Sequence, residues 1–175
     1  MKIEENKNKE LPIKINVPNG FLDEEVKCGY TISSKMKAVW AVEIDLYIEL
    51  KRVCDKYNLS LYADGGTMLG AVRHSGFIPW DDDMDFAMSR EDYKKLCEVA
   101  NREFNYPYFW LTEETDPGTA FGHGQLRNSK TTGFVEGGEV YGKNHGIFID
   151  VFPFDNVPDE ESERRFLGQW HRQVW

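Results

Sequence analysis

The stretch that most restricts the fold is WDDDMDF, residues 80–86, which sets four carboxylates in five positions between two aromatic side chains. Like charges at that spacing repel, and burial raises the pKa of at least one of them. Read on as DMDFAM, 83–88, the chain alternates charged and apolar residues as a half-buried strand does. Residues two apart on a strand share a face, so Asp83 and Asp85 lie on one side across Met84, and Asp81 joins them where the chain is already extended. A bound divalent cation relieves both the repulsion and the burial, and hard carboxylate oxygens suit Mg²⁺ or Mn²⁺. A solvated acidic loop is the competing reading. An EF-hand loop is not: with Asp81, Asp83 and Asp85 as its first ligands, the required Gly falls on Phe86 and the terminal Glu on Asp92.

A third acid, Asp150, sits alone in the apolar run GIFIDVFPF, 146–154. A lone charge in a buried strand needs a partner. A cation shared with Asp83 and Asp85 supplies one, and an ion pair with Arg127 or Lys130 is the structural alternative. Upstream, Gly65-Gly66 falls between a short strand, LSLYAD at 59–64, and a short helix, TMLGAVRH. Such a turn lets the backbone N–H groups of Gly65, Gly66 and Thr67 approach a phosphate at a helix N-terminus. Alone, a Gly-Gly pair is more often only a turn. Followed by an Asp-x-Asp strand, it supplies part of a metal-assisted phosphoryl-transfer site.

The remaining chain supplies the scaffold. Ser33 or Ser34 caps a helix, MKAVWAVEIDLYIELKRVCDKYN, whose Met36, Val39, Trp40, Ile44, Tyr47, Ile48 and Leu50 approximate a 3.6-residue period. Ser89 followed by Asp92 resembles a capping box and opens a helix to about residue 102. YFWLTEE reads as a strand, DPG at 116–118 as a turn, QLRNSKTTGFVE as two short strands, and DEESERRFLGQWHRQVW as a helix. Residues 1–30 read as a loosely held arm and 31–175 as one domain. The class expected is α+β, a small mixed sheet flanked by helices.

Composition narrows the function. A net charge of −9 argues against broad binding to a nucleic-acid backbone. No apolar run is long enough to cross a bilayer. Cys28, Cys54 and Cys97 form no CxxC pair, as in a reduced, cytosolic protein, and His74, His123, His145 and His171 lack zinc-ligand spacing. Phe77, Trp80 and Trp110 have the chemistry to stack a base or cage a quaternary ammonium, although core packing is the commoner fate of large aromatics.

The block GGTMLGAVRHSGFIPWDDDMDFAMSREDYKKL, 65–96, with QLRNSKTTGF, 125–134, and GIFIDVFPFD, 146–155, resembles the signature of the LicD family. Proteins of this family are phosphotransferases of bacterial surface-glycan decoration, related to the fukutin proteins, within the polymerase-beta-like nucleotidyltransferase superfamily. The resemblance implies a polymerase-beta-like core, with SGFIPW as an inserted loop, and a domain incomplete at its C-terminal side. It implies a nucleotide-linked donor such as CDP-choline and a sugar hydroxyl on a glycan or glycolipid acceptor. It carries Gly65-Gly66, Asp83-Met84-Asp85 and Asp150 over as the superfamily's turn, acid pair and third acid. On it, Asp83 and Asp85 hold Mg²⁺ or Mn²⁺, Asp150 completes the metal site or takes the proton from the hydroxyl, and Asp81 is a further ligand. Gly66 and Thr67 hold a phosphate beside Gly65, and Arg127 and Lys130 bind diphosphate. Arg73 and His74 lie in the matched block but suit the C-terminal end of a short helix. The location implied is cytoplasmic or peripheral at the inner face of a membrane. A glycosyltransferase using Asp-x-Asp, or an inactive binding module, are the alternatives.

Overall fold

The structure, a computed structural model, describes residues 11–119, 122–133 and 144–165. It is α+β. A two-stranded hairpin, β1 (Glu25–Lys27) and β2 (Tyr30–Ile32), precedes the long helix α1 (Ser34–Tyr57). There follow β3 (Tyr62–Ala63), α2 (Gly65–His74), β4 (Asp85–Ser89), α3 (Arg90–Glu103), β5 (Tyr108–Leu111), β6 (Gly124–Asn128) and β7 (Ile147–Phe154). The five later strands form one mixed sheet in the order β3-β4-β7-β6-β5, in which only β4 and β7 run parallel.

Both predicted serine caps are in place. The Ser33 hydroxyl accepts from Met36 N–H at 3.2 Å, and that of Ser89 from Asp92 N–H at 3.1 Å. Asn58, in the left-handed region at φ 53°, ends α1. Strand alternation sorts the sheet into two faces. Phe86 and Met88 of β4, Leu126 of β6, and Ile149 and Val151 of β7 join Val42, Leu46, Leu50 and Leu96 of α1 and α3 in the core. The opposite parity, Asp85, Asp150, Gln125 and Arg127, lies on the other face.

Several expectations need correction. β3 spans only Tyr62–Ala63, and β4 begins at Asp85, so Asp83 lies in the extended approach rather than in the strand. QLRNSKTTGFVE holds one described strand, β6; its last three residues, and the tail beyond residue 165, lie outside the described residues. The buried face of α1 is not the apolar set alone. Ile48 is exposed, while Lys37, Glu43 and Asp45 are buried.

Of the expected arm, 1–30, residues 1–10 lie outside the described residues, and the described part is tied to the domain. Lys14 and Ile15 N–H donate to Asp45 Oδ1 at 2.8 and 3.0 Å, and Pro12 O accepts from Asn128 Nδ2 at 2.8 Å. The hairpin is held by an ion pair from Glu25 to Lys37 and by Lys27 Nζ on His74 O at 2.6 Å. Buried polar groups of α1 therefore recruit the N-terminal segment, which a hydrophobicity pattern does not show.

Candidate metal and phosphate site

The acids of β4 and β7 meet across the parallel strand pair. Asp85 stands in register with Asp150, and Gln125 of β6 stands opposite Asp150 on the other side, so the three form one row across the open face. Neighbouring strands lie about 4.8 Å apart, which brings the two carboxylates side by side. Just before β4, Asp81, Asp82 and Asp83 each offer a carboxylate oxygen within 4.8 Å of the others. Trp40 of α1 pins this loop by donating from Nε1 to Asp81 O at 2.9 Å, and Phe77 stacks on Trp40 with ring centroids 4.5 Å apart.

The Gly-Gly turn opens α2 beside these acids. A Cβ at Gly65 would lie 2.7 Å from Asp85 Oδ2, and one at Gly66 would lie 2.5 Å from Asp81 Oδ2. Gly65 also has φ +46°. Glycine is therefore required so that carboxylates can close on the first turn of the helix. The first helical bond runs from Met68 N–H to Asp64 O, and the Asp64 side chain makes no cap. The N–H groups of Gly65, Gly66 and Thr67 thus belong to the set that an α-helix leaves without internal acceptors. The Thr67 hydroxyl accepts from Asp85 N–H at 2.8 Å, tying the helix start to β4.

Two side chains converge on one oxygen of Asp150: Gln125 Nε2 donates to Oδ1 at 2.8 Å, and His123 Nε2 lies 2.9 Å from the same atom. Behind Gln125 stands Arg127, whose Nε and Nη2 both donate to Gln125 Oε1 and whose Nη1 donates to the Asn144 and Gly146 carbonyls. Its guanidinium lies over the Phe148 ring at 4.5 Å. Arg127 is thus buried behind Gln125 and not paired directly with Asp150. Lys130 lies past the end of β6 with its ammonium over the Tyr106 ring, and is not brought to the acids. Arg73 and His74 occupy the far end of α2, where Arg73 Nε donates to His74 Nε2. Trp110 is a core residue at 3% exposure, whereas Trp80 is exposed, edge-on to Tyr30 and His74. Beyond His123, a cavity of about 490 Å³ opens between α3 and the segment after β5, lined by Arg90, Tyr93, Lys94, Glu98 and Glu113 among others.

Crowded carboxylates raise one another's pKa. Burial pushes Asp83 up to about 6, with the charges of Asp85, Asp81, Asp82 and Asp150 adding to it. Asp85 is raised by burial first and then by Asp150 and Asp64. Glu43 of α1, 1% exposed, is pushed up to about 9, chiefly by burial and next by Asp83, Asp82 and Asp81. Its Oε2 has no hydrogen-bond partner among the described residues. An all-oxygen donor set of high negative charge with an orphaned buried oxygen fits a hard divalent cation such as Mg²⁺ or Mn²⁺.

Sequence reasoning missed Glu43, His123 and Gln125. Glu43 carries a weak signal, an acid among the apolar residues of α1. His123 and Gln125 carry none, because only strand pairing sets them against Asp150.

A mixed sheet thus sets carboxylates from two parallel strands beside a glycine-started helix. Residues 58–175 match the family model described as LicD/FKTN/FKRP, nucleotidyltransferase domain. The chain belongs to the LicD family. It is 32% identical over 123 residues to the lipopolysaccharide cholinephosphotransferase LicD of Haemophilus influenzae, a match covering 70% of this chain and 45% of that protein. Uncharacterized proteins of Rickettsia prowazekii and Rickettsia typhi are 43% identical over 77 residues and 41% over 70. Those matches cover 44% and 40% of this chain, and 27% and 21% of theirs. The chain thus spans less than half the length of these relatives. Among the described residues, no helix is long and apolar enough to cross a membrane.

Proposed function

We propose that the chain carries the polymerase-beta-like core of a metal-dependent phosphotransferase. It moves a phospho-substituent such as phosphocholine from a nucleotide-linked donor such as CDP-choline to a sugar hydroxyl of a cell-surface glycan or glycolipid. The observation that carries this reading is the in-register pairing of Asp85 with Asp150 beside the acidic loop and the start of α2. The Haemophilus relative's cholinephosphotransferase name supports the donor class.

Asp83 and Asp85, with Asp81 and Asp150, hold Mg²⁺ or Mn²⁺. When bound, that ion neutralises charge on the donor diphosphate and on the leaving nucleotide. The N–H groups of Gly65, Gly66 and Thr67 bind a donor phosphate at the helix N-terminus. The acceptor oxygen bonds to the transferred phosphorus while the bond to the nucleoside monophosphate breaks. Asp150, fixed through Oδ1 by Gln125 and His123, either completes the cation site or takes the hydroxyl proton. Arg127 orients Gln125 for that task.

Incubating the full-length protein with CDP-choline, Mg²⁺ and glycan acceptors tests the reading by phosphorus NMR. Release of CMP with the phospho-group on the acceptor, abolished in Asp85→Asn and Asp150→Asn, is expected. Transfer of a sugar from a nucleotide sugar with nucleoside diphosphate release would instead assign a glycosyltransferase and overturn it.

A further inference from the structure

His123 takes part in two features of the molecule. Its Nε2 lies 2.9 Å from Asp150 Oδ1, and the residue also lines the cavity of about 490 Å³ between α3 and the segment after β5. Phe152, two residues beyond Asp150 on β7, packs on the imidazole with ring centroids 4.5 Å apart. The cavity therefore reaches to within one imidazole ring of the acid row. Its volume falls in the range of small-molecule sites, about 300–1,000 Å³.

Position and lining together narrow what the cavity can hold. The sheet order β3-β4-β7-β6-β5 puts Gly65-Gly66, just after β3, on one side of Asp85 and Asp150. The cavity, reached through the residue before β6, lies on the other. A displacement at phosphorus needs its incoming and leaving oxygens roughly in line, on opposite sides of the reacting atom. With a donor phosphate at the Gly-Gly turn, the side left for the incoming hydroxyl is that of His123. The charges around the cavity are mixed. Arg90 and Lys94 stand against Glu98, Glu113 and Glu114, and Arg90 is already paired with Asp155 at 2.6 Å. That excess of carboxylate opposes the phosphates of a nucleotide, and the Lys94 ammonium opposes a quaternary ammonium. A neutral sugar meets neither objection. Its hydroxyls donate to the glutamates, accept from Lys94 and do both with Thr112, while the Tyr93 ring offers an apolar face to its C–H bonds.

We infer that this cavity receives the acceptor sugar, with the reacting hydroxyl directed past His123 toward Asp150. The inference rests on the phosphotransfer reading above and adds the place and the chemical class of the acceptor site: an uncharged sugar unit held by Lys94, Glu98 and Glu113. His123 is then a positioning residue, which walls the cavity and holds Asp150 through the same ring.

The probes are the methyl glycosides of glucose, galactose and N-acetylglucosamine, mixed with the full-length protein and followed by saturation-transfer NMR. The wild type is expected to bind at least one of them. Glu98→Trp, which fills the cavity from an exposed position on α3, and Glu113→Gln, also at an exposed position, should each weaken that binding. The expected loss is about tenfold or more, as when one hydrogen bond to a charged group is removed. The rise in melting temperature produced by CDP-choline with Mg²⁺ should be the same in both variants as in the wild type. Where Glu98→Trp fails to fold, Glu113→Gln and the exposed Lys94→Ala carry the same expectation. Unchanged glycoside binding in the variants, or none in the wild type, overturns the inference and leaves phosphotransfer standing. Loss of the CDP-choline shift in the variants also overturns it, because the cavity then holds the donor. Glycoside binding with no CDP-choline shift in the wild type removes the phosphotransfer reading and the acceptor role with it.

Discussion

In metal-free protein, Glu43→Gln should remove a stability penalty that grows with pH. The carboxyl of Glu43 ordinarily titrates near 4.5 and is raised to about 9 in the folded chain. Between those values the folded state binds more protons than the unfolded state, so stability falls as pH rises. Below 4.5 the penalty vanishes, and above about 9 it stops growing. From pH 4.5 to pH 7 the difference spans roughly 2.5 pH units, which corresponds to a loss on the order of 3 kcal/mol at pH 7. Glutamine is neutral at both pH values and lacks this term. The stability gap between variant and wild type should therefore widen by that amount on going from pH 4.5 to pH 7. With a urea m-value of about 2 kcal/mol per molar, the midpoint gap widens by about 1 to 2 M. The assay is urea unfolding in EDTA at both pH values, followed by circular dichroism. Parallel pH profiles for the two proteins would refute the reasoning, because they would show that Glu43 keeps an ordinary pKa.

Gly65→Ala should lower the melting temperature and weaken Mn²⁺ binding together. The new Cβ needs φ +46°, which costs about 1–2 kcal/mol, and lies 2.7 Å from the Asp85 oxygen that must then move. Retained melting temperature and Mn²⁺ affinity would show that the turn tolerates a side chain. Glu103, held by Lys56 Nζ at 2.7 Å and the Tyr57 hydroxyl at 2.6 Å, has its carboxyl lowered from 4.5 to about 2. Its stabilisation is complete above pH 4.5 and is lost as pH falls toward 2, so Glu103→Gln should show a smaller drop in melting temperature across that range than wild type.

The sequence was most informative where local chemistry decides structure. Ser33 and Ser89 cap their helices through contacts three residues away, and a serine before an amphipathic run announces that. Alternation in 83–88 and the apolar run around Asp150 likewise placed both acids on strands or their approach. Their registration was beyond reach, since the intervening chain, including α3, β5 and β6, decides which residue of β7 lies beside Asp85. The same reason hides Gln125 and His123. The contacts of Arg127 were out of reach as well, because its bonds to Gln125 and to two carbonyls follow from how the strands and the segment before β7 come together. Glu43 was obscured because helical periodicity counts apolar positions and passes over a buried acid.

Strand β7 is flanked by β4 on one side and β6 on the other, and along it Ile149 and Asp150 point to opposite faces. Sliding that strand by a single position would drive a carboxylate into the hydrocarbon interior beneath α1 and bring an isoleucine out in its place. The acid thus fixes the alignment of the central strand, because a misthreaded sheet would have to bury its charge.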